Sequence, residues 1–205
     1  MAKENLRKMP SIKKYTADET YHDIIYGYLQ TSSIWDMHTN RRYVDKKSAT
    51  NEILGEIAHI SRQTAAKKMK GLIQSGLVEY DGEARRYYLP EVGEFEGTLV
   101  PYDTLSYLVA ACSQDAISIY VYLLRLAIKN KKQGFSVYYS DLKDFVGLSN
   151  STRSNNKIIW SIMHMLGCIG LVHFKLVQKD PYHKLMVISK VNTHVVERTD
   201  FTDED

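Results

Sequence analysis

The chain repeats one short pattern at matched distances. Ile25–Leu29 reads IYGYL and Ile119–Leu123 reads IYVYL, 94 positions on. Gly76–Tyr80 reads GLVEY and Gly170–Phe174 reads GLVHF, again 94 positions on. Between these anchors EIAHIS (Glu56–Ser61) matches DFVGLS (Asp144–Ser149) at an offset of 88. Equal outer offsets with one compensated inner shift describe a duplicated unit. Its second copy has a shorter approach to the central turn and a longer helix after it. A period this long points to a duplicated domain and not to a solenoid of small repeats.

The boundary between copies falls in PEVGEFEGTLVPYD (Pro90–Asp103), where two prolines, two glycines and four acids interrupt the apolar pattern. The predicted organisation is a basic arm over 1–19, a first domain over 20–90, an acidic linker over 91–103, a second domain over 104–194 and an acidic tail over 195–205. Each copy carries the same order of elements. An apolar helix (Tyr21–Gln30; Gln114–Lys129) precedes a short strand (Arg42–Val44; Phe135–Tyr138) and a short helix (Ala49–Ala58; Asp141–Val146, capped by Ser140). A tight turn leads to a third helix (Ser61–Ser75; Ser151–Gly167). A ribbon closes each copy: Leu77–Tyr80 and Arg85–Leu89 around Asp-Gly, then LVHFKLVQ and KLMVISKV around Asp-Pro.

Net charge is only +3 over 205 residues, too weak to announce a nucleic-acid partner. Its distribution says more. Met1–Lys14 holds five Lys/Arg (Lys3, Arg7, Lys8, Lys13, Lys14) against one Glu, a net +4, and Glu197–Asp205 holds five acids against one Arg, a net −4. An apolar share of 44% suffices for real cores. The two cysteines, Cys112 and Cys168, sit among apolar residues, as buried thiols of a reducing, cytoplasmic setting do. The start lacks the apolar segment of a signal peptide. The longest apolar run, Ile117–Ile128, is shorter than the ~20 residues that span a bilayer.

Helix, helix-turn-helix (IAHISRQTAAKKMKGLIQSGLVEY) and a two-stranded ribbon together resemble the winged helix-turn-helix superfamily of DNA-binding domains. The resemblance covers most of the chain if both copies count. It implies a helix-rich α+β fold of two tandem winged helix-turn-helix domains, each with a C-terminal β-hairpin wing. Tandem copies are similar in architecture to plasmid and phage replication initiators, and equally to transcription regulators. They are also similar in layout to the paired winged-helix scaffold subunits of chromosome-segregation complexes, which bind proteins.

In the first copy, Ala65, Ala66, Met69, Leu72 and Ile73 form the core stripe of the third helix. Gln63, Thr64, Lys67, Lys70, Gly71 and Gln74 lie opposite, with Lys68 at the flank. Ser61 opens the helix, and Arg62, Gln63 and Thr64 near its start are placed to read base edges, while the lysines meet phosphates or guanine acceptors. In the ribbon, one of Arg85 and Arg86 must point away from the core, because strand faces alternate. That arginine would meet phosphate or the minor groove. Asp81 and Glu83 at the tip oppose it. A lysine-rich outer face is also what an ordinary solvated helix presents.

The second copy's third helix buries Ile158, Ile159, Ile162, Met165 and Leu166 and offers Arg153, Asn156 and Lys157 as DNA contacts. Its start, SNSTRSNNK, supplies small hydrogen-bonding groups for phosphates. An exposed Trp160 marks an interface more often than a groove contact. Helix Gln114–Lys129 is apolar nearly all round, so Tyr120, Tyr122 and Leu124 are expected to meet a covering surface. A homodimer partner and the first domain are the two candidates.

No phosphate-cradling loop, zinc spacing or nucleophile–base pair emerges. His173 and His183, facing across the second ribbon, are ordinary surface sooner than ligands. The expectation is a non-enzymatic, sequence-specific binder of double-stranded DNA, without cofactor, metal, membrane or small-molecule substrate. A protein–protein scaffold is the alternative.

Overall fold

The computed structural model of the chain describes residues 5–10, 21–90, 97–131, 133–152, 154–178 and 184–195. Strand β1 (Leu6–Pro10) precedes helix α1 (Asp23–Ser32), strands β2 (Ile34–Asp36) and β3 (Arg41–Asp45), and a 3-10 turn (Lys46–Ser48). Helices α2 (Asn51–Ile57) and α3 (Arg62–Gln74) and strands β4 (Glu79–Asp81) and β5 (Arg86–Leu89) follow. Next come β6 (Gly97–Pro101), α4 (Tyr102–Ala111), α5 (Gln114–Lys129), β7 (Phe135–Tyr138) and α6 (Tyr139–Phe145). Helix α7 (Ser154–Cys168) and strands β8 (Val172–Gln178) and β9 (Lys184–Val191) complete the order. The fold is α+β, with seven α-helices and three small antiparallel sheets among the described residues. No described helix is long and apolar enough to cross a membrane.

The two offsets read from the sequence recur in the backbone. Strand order is β2-β3-β5-β4 in one sheet and β7-β9-β8 in another, so in both the strand that leads into the helix-turn-helix (β3; β7) pairs with the last strand of its half (β5; β9). At the turn between the second and third helices, Ile60 N donates to Gly55 O at 2.9 Å, and 88 residues on Leu148 N donates to Lys143 O at 2.8 Å. The turn residue is left-handed in both, His59 at φ +53° and Gly147 at φ +73°. Past the third helix, Gly76 (φ +73°) and Gly170 (φ +71°), 94 apart, reverse the chain into the ribbon. Gly55 answers a separate need: a Cβ there would lie 2.8 Å from Ile60 O, so only glycine lets the turn close.

Helix α1 buries Ile25, Tyr26 and Leu29 completely, and α5 buries Ile119, Tyr120 and Leu123 at the corresponding positions. Each such leucine stabilises by about 1.5–3 kcal/mol. The buried phenols are satisfied: Tyr26 Oη accepts from Gln30 Nε2 at 2.9 Å, and Tyr120 Oη donates to Asn192 O at 3.0 Å. Burial raises the pKa of both. One continuous apolar core takes in both sets. Helix α1 packs on α4 and α5, and at Gly27 a Cβ would meet Val109 Cγ2 at 2.7 Å.

Three expectations change. The basic arm contains a strand: β1 pairs with β6, and Arg7 is buried, while Lys3, Lys13 and Lys14 lie outside the described residues. The second half of the acidic linker is β6 and the start of α4, a helix that the apolar pattern did not isolate; residues 91–96 lie outside the described set. Ser140 sits inside α6 and does not cap it, because the Asp141 carboxylate accepts from Tyr138 N at 3.1 Å and starts the helix earlier. Of the two candidates given for covering α5, the chain itself supplies a cover, with α5 packed against α1, α6, α7, β6 and β9.

Candidate nucleic-acid interface

Ser61 initiates α3. Its Oγ accepts from Thr64 N at 3.1 Å and lies 2.9 Å from Thr64 Oγ1, so both hydroxyls serve the cap. The core stripe is narrower than the sequence pattern suggested. Ala65, Met69 and Leu72 are buried, whereas Ala66 is half-buried and Ile73 is 37% exposed. Both stand at its flank, about 70–90° from the centre of the stripe. Gly71, expected outside, is buried; a bare Cα is shaded once the side chains around it extend past it. Arg62, Gln63, Lys67, Lys70 and Gln74 are exposed and Lys68 is half-buried. The helix carries these four cations and no acid from Arg62 to Gln74. Two carboxylates stand nearby, because Glu52 and Glu56 of α2 share a shallow groove with His59 and Arg62.

The ribbon separates the paired arginines. Asp81 Oδ1 accepts from Glu83 N and Ala84 N, both at 2.9 Å, so this acid builds the turn. Arg85 follows in the left-handed region (φ +53°), exposed, its carbonyl accepting from Lys46 N at 2.9 Å. Arg86 lies on the outer face of the sheet, 3.6 Å from Asp36 and 3.6 Å from Asp45, with its guanidinium 4.0 Å from the Tyr43 ring. Its hydrogen bond to Tyr88 comes first among the causes that raise its pKa. Arg86 is therefore committed to the sheet, and Arg85 is the arginine open to a partner. Sequence reasoning missed Lys46 and Lys47, which reach the same end of the sheet; the DKKS run after β3 was the available signal. Lys46 Nζ donates to Tyr80 Oη at 3.1 Å, and Lys47 is exposed.

The second copy presents a different surface. Arg153 lies outside the described residues, Asn156 is half-buried and Lys157 is exposed. At the 94-residue offset, the positions of Lys67, Lys70 and Gln74 are taken by Ser161, His164 and Cys168. Helix α7 carries one cation, Lys157, where α3 carries four. The polar run before it is spent on the turn. Asn150 Nδ2 donates to Asp144 Oδ1 (2.6 Å), Asn155 Nδ2 donates to Ser149 O (2.8 Å), and Lys143 Nζ donates to Asn150 O (3.3 Å). Asn150 and Asn155 are thereby tied into the turn, while Thr152 and Ser154 of the same run are exposed. Trp160, 38% exposed, meets His164 edge-on at 4.0 Å and Phe174 at 5.9 Å, over a groove of about 780 Å³ that also touches Val187. Ile158, expected in the core, is 41% exposed.

The other expected interface residues are not available. Tyr120 is fully buried, Leu124 is 3% exposed, and Tyr122 stacks on Phe145 at 4.4 Å. Their covering surface is this chain itself. His183 lies outside the described residues, and His173 Nε2 is 3.2 Å from Asn192 Nδ2.

No protein-family model and no curated protein matches the chain.

Proposed function

We propose that the chain is a tandem winged helix-turn-helix protein whose first copy grips double-stranded DNA and reads its sequence. The observation that carries this reading is the outer face of α3. Four cations and two glutamines stand on a serine-capped helix with no acid, beside a ribbon end bearing Arg85, Lys46 and Lys47. Arg62 and Gln63 at the helix start have the geometry for base edges, and the lysines that for phosphates. The matched sheet orders and helix turns of the two halves support the tandem assignment. The biological role that fits is replication initiation of a mobile element or transcription regulation.

The test is selection of bound duplexes from a random pool, followed by the salt dependence of the enriched site. An enriched motif with a steep salt slope supports the reading. Direct repeats point to initiation and an inverted pair to regulation. Substituting Lys67 and Lys70 by alanine should flatten the slope by about two, one per phosphate contact. Absence of any motif, with weak binding unaffected by that double substitution, would overturn it. A protein–protein scaffold is the second reading. It draws on the Trp160 groove of α7, where the lysines of α3 have no counterpart.

A further inference from the structure

The β2–β3 hairpin exposes three large apolar side chains within four residues: Ile34 at 56%, Trp35 at 48% and Met37 at 88%. Exposed apolar groups this close together mark a contact surface more than chance does. Beside Trp35 a cavity of about 220 Å³ is walled by Lys8, Arg42 and Arg41, the last paired with Glu79 at 2.8 Å, with Gln30 and Asn40, and among the described residues no carboxylate lines it. The Arg42 guanidinium lies 5.8 Å from the Trp35 ring centroid. Arg7 stands behind, buried, donating to Gln30 O at 2.9 Å and to Asn5 Oδ1, which Arg42 also reaches at 3.4 Å.

Two guanidiniums thus converge on one amide oxygen, and neither forms an ion pair among the described residues. Burial, and then repulsion from Arg42, lower the Arg7 pKa to about 10; burial lowers that of Arg42 as well. Buried cations ordinarily have a counter-charge. An anion entering the cavity would supply it.

We propose that this hairpin binds an unpaired nucleotide of a nucleic-acid strand, its base on Trp35 and its phosphate between Arg42 and Lys8. The cavity is smaller than the ~300–1,000 Å³ of a drug-sized ligand site, and matches one small charged group at the foot of an open aromatic face. A cationic groove beside a stacking ring is the chemistry of single-strand binding. Ile34 and Met37 are of the apolar type that wedges between base steps. An acidic peptide would satisfy the arginines but would leave the flat Trp35 face unused.

The position is separate from the duplex face. Arg42 pairs with Leu89, whereas Asp45 pairs with Arg86 next to the ribbon turn, three residues or roughly 10 Å along the strand. A duplex held by α3 and Arg85 therefore leaves the hairpin cavity open to an unpaired segment. The inference rests on the nucleic-acid reading above but on none of the α3 residues.

The chain has two tryptophans, so Trp160→Phe leaves Trp35 as the sole reporter. Titrating that full-length variant with a short oligothymidylate at low salt should quench its fluorescence saturably. Arg42→Gln and Lys8→Gln, on different strands, should each weaken the effect about tenfold, with folding checked by thermal melts. Arg42→Lys should fall between. Absence of quenching, unchanged affinity in both glutamine variants, equal quenching by blunt duplex, or quenching by polyglutamate and not by oligothymidylate would each overturn the proposal. The Lys67/Lys70 double-alanine chain separates the two readings. It should bind duplex more weakly, with the flatter salt slope, and keep oligothymidylate quenching. In the chain that keeps Lys67 and Lys70, duplex binding without quenching sinks the hairpin site alone, and quenching without duplex binding sinks the α3 reading alone.

Discussion

Ser118 Oγ donates to Asp23 Oδ2 at 2.5 Å in the buried contact between the first helices of the two halves, 95 residues apart in sequence. Tyr21 Oη approaches the other carboxylate oxygen at 3.2 Å. A buried carboxylate needs such donors, because ionised oxygens taken from water without partners are costly. Ser118→Ala should therefore destabilise by roughly 1.5–3 kcal/mol, the range for hydrogen bonds to charged groups. Because the core is continuous, the halves should also unfold together. Trp35 reports on one half and Trp160 on the other. Urea midpoints of Trp35→Phe and Trp160→Phe chains, read by fluorescence and circular dichroism, should coincide. Two separated midpoints would mean that the halves are energetically independent.

The turn into α3 and the turn out of it both use glycine, for different reasons, and alanine should tell them apart. At Gly76 (φ +73°) nothing lies within 4 Å of an added Cβ, so the cost is the left-handed backbone alone, about 1–2 kcal/mol, with duplex binding retained. At Gly55 the Cβ would meet Ile60 O at 2.8 Å and come within 3.4 Å of Arg62 N. The turn must open and move the start of α3. Gly55→Ala should lose duplex affinity even at temperatures where it is folded; equal affinity of the two variants would contradict this.

How far the sequence could be read depended on whether a feature was local. The three anchor matches lie within helices or tight turns, and the backbone bonds at Gly55–Ile60 and Lys143–Leu148 reproduce their offset. Phe135–Tyr138 was legible as a strand because Gly134 precedes it and helix α6 starts directly after it. Strand β1 was not: it exists by pairing with β6, about 90 residues away, and Met9 opposite Thr98 leaves no periodic trace in a five-residue segment. For the same reason nothing in the basic arm set Arg7 apart from its neighbours, because Gln30 and Tyr102, which surround it with Asn5, are brought there by the fold. In the candidate site, the outer face of α3 followed from helical spacing. The fate of Arg86 did not, because Asp36 and Asp45 come from other strands.

The two cysteines should differ sharply in reactivity. Burial at the end of α4 pushes the Cys112 thiol up to about 11, while Cys168 is exposed on α7. At about pH 8 the thiolate fraction of Cys112 is then on the order of 0.1%, against roughly a quarter for a free thiol. Iodoacetamide should alkylate Cys168 first. Cys112 should lag by on the order of a hundredfold and gain about tenfold per pH unit until its own pKa is approached. Peptide mass mapping over time reads both sites, and equal rates at pH 8 would show that Cys112 is not buried in solution.

Arg85 and Arg86 are adjacent in sequence and should fail in opposite ways. Arg86 holds Asp36 and Asp45 and covers the Tyr43 ring on an outer sheet face, so removing it leaves two neighbouring acids without their shared cation. Arg86→Ala should lower the melting temperature and leave the salt slope of duplex binding unchanged wherever the protein is folded. Arg85 lies in the turn, exposed, and contributes its backbone carbonyl to Lys46 whatever its side chain. Arg85→Ala should leave the melting temperature within about 0.5 kcal/mol equivalent, as surface substitutions do. On the duplex reading proposed above, its salt slope should fall by about one, for one phosphate contact. Melting curves and affinities at several salt concentrations decide the matter. If Arg86→Ala lowers the slope and Arg85→Ala does not, the sheet face and not the ribbon turn approaches the DNA.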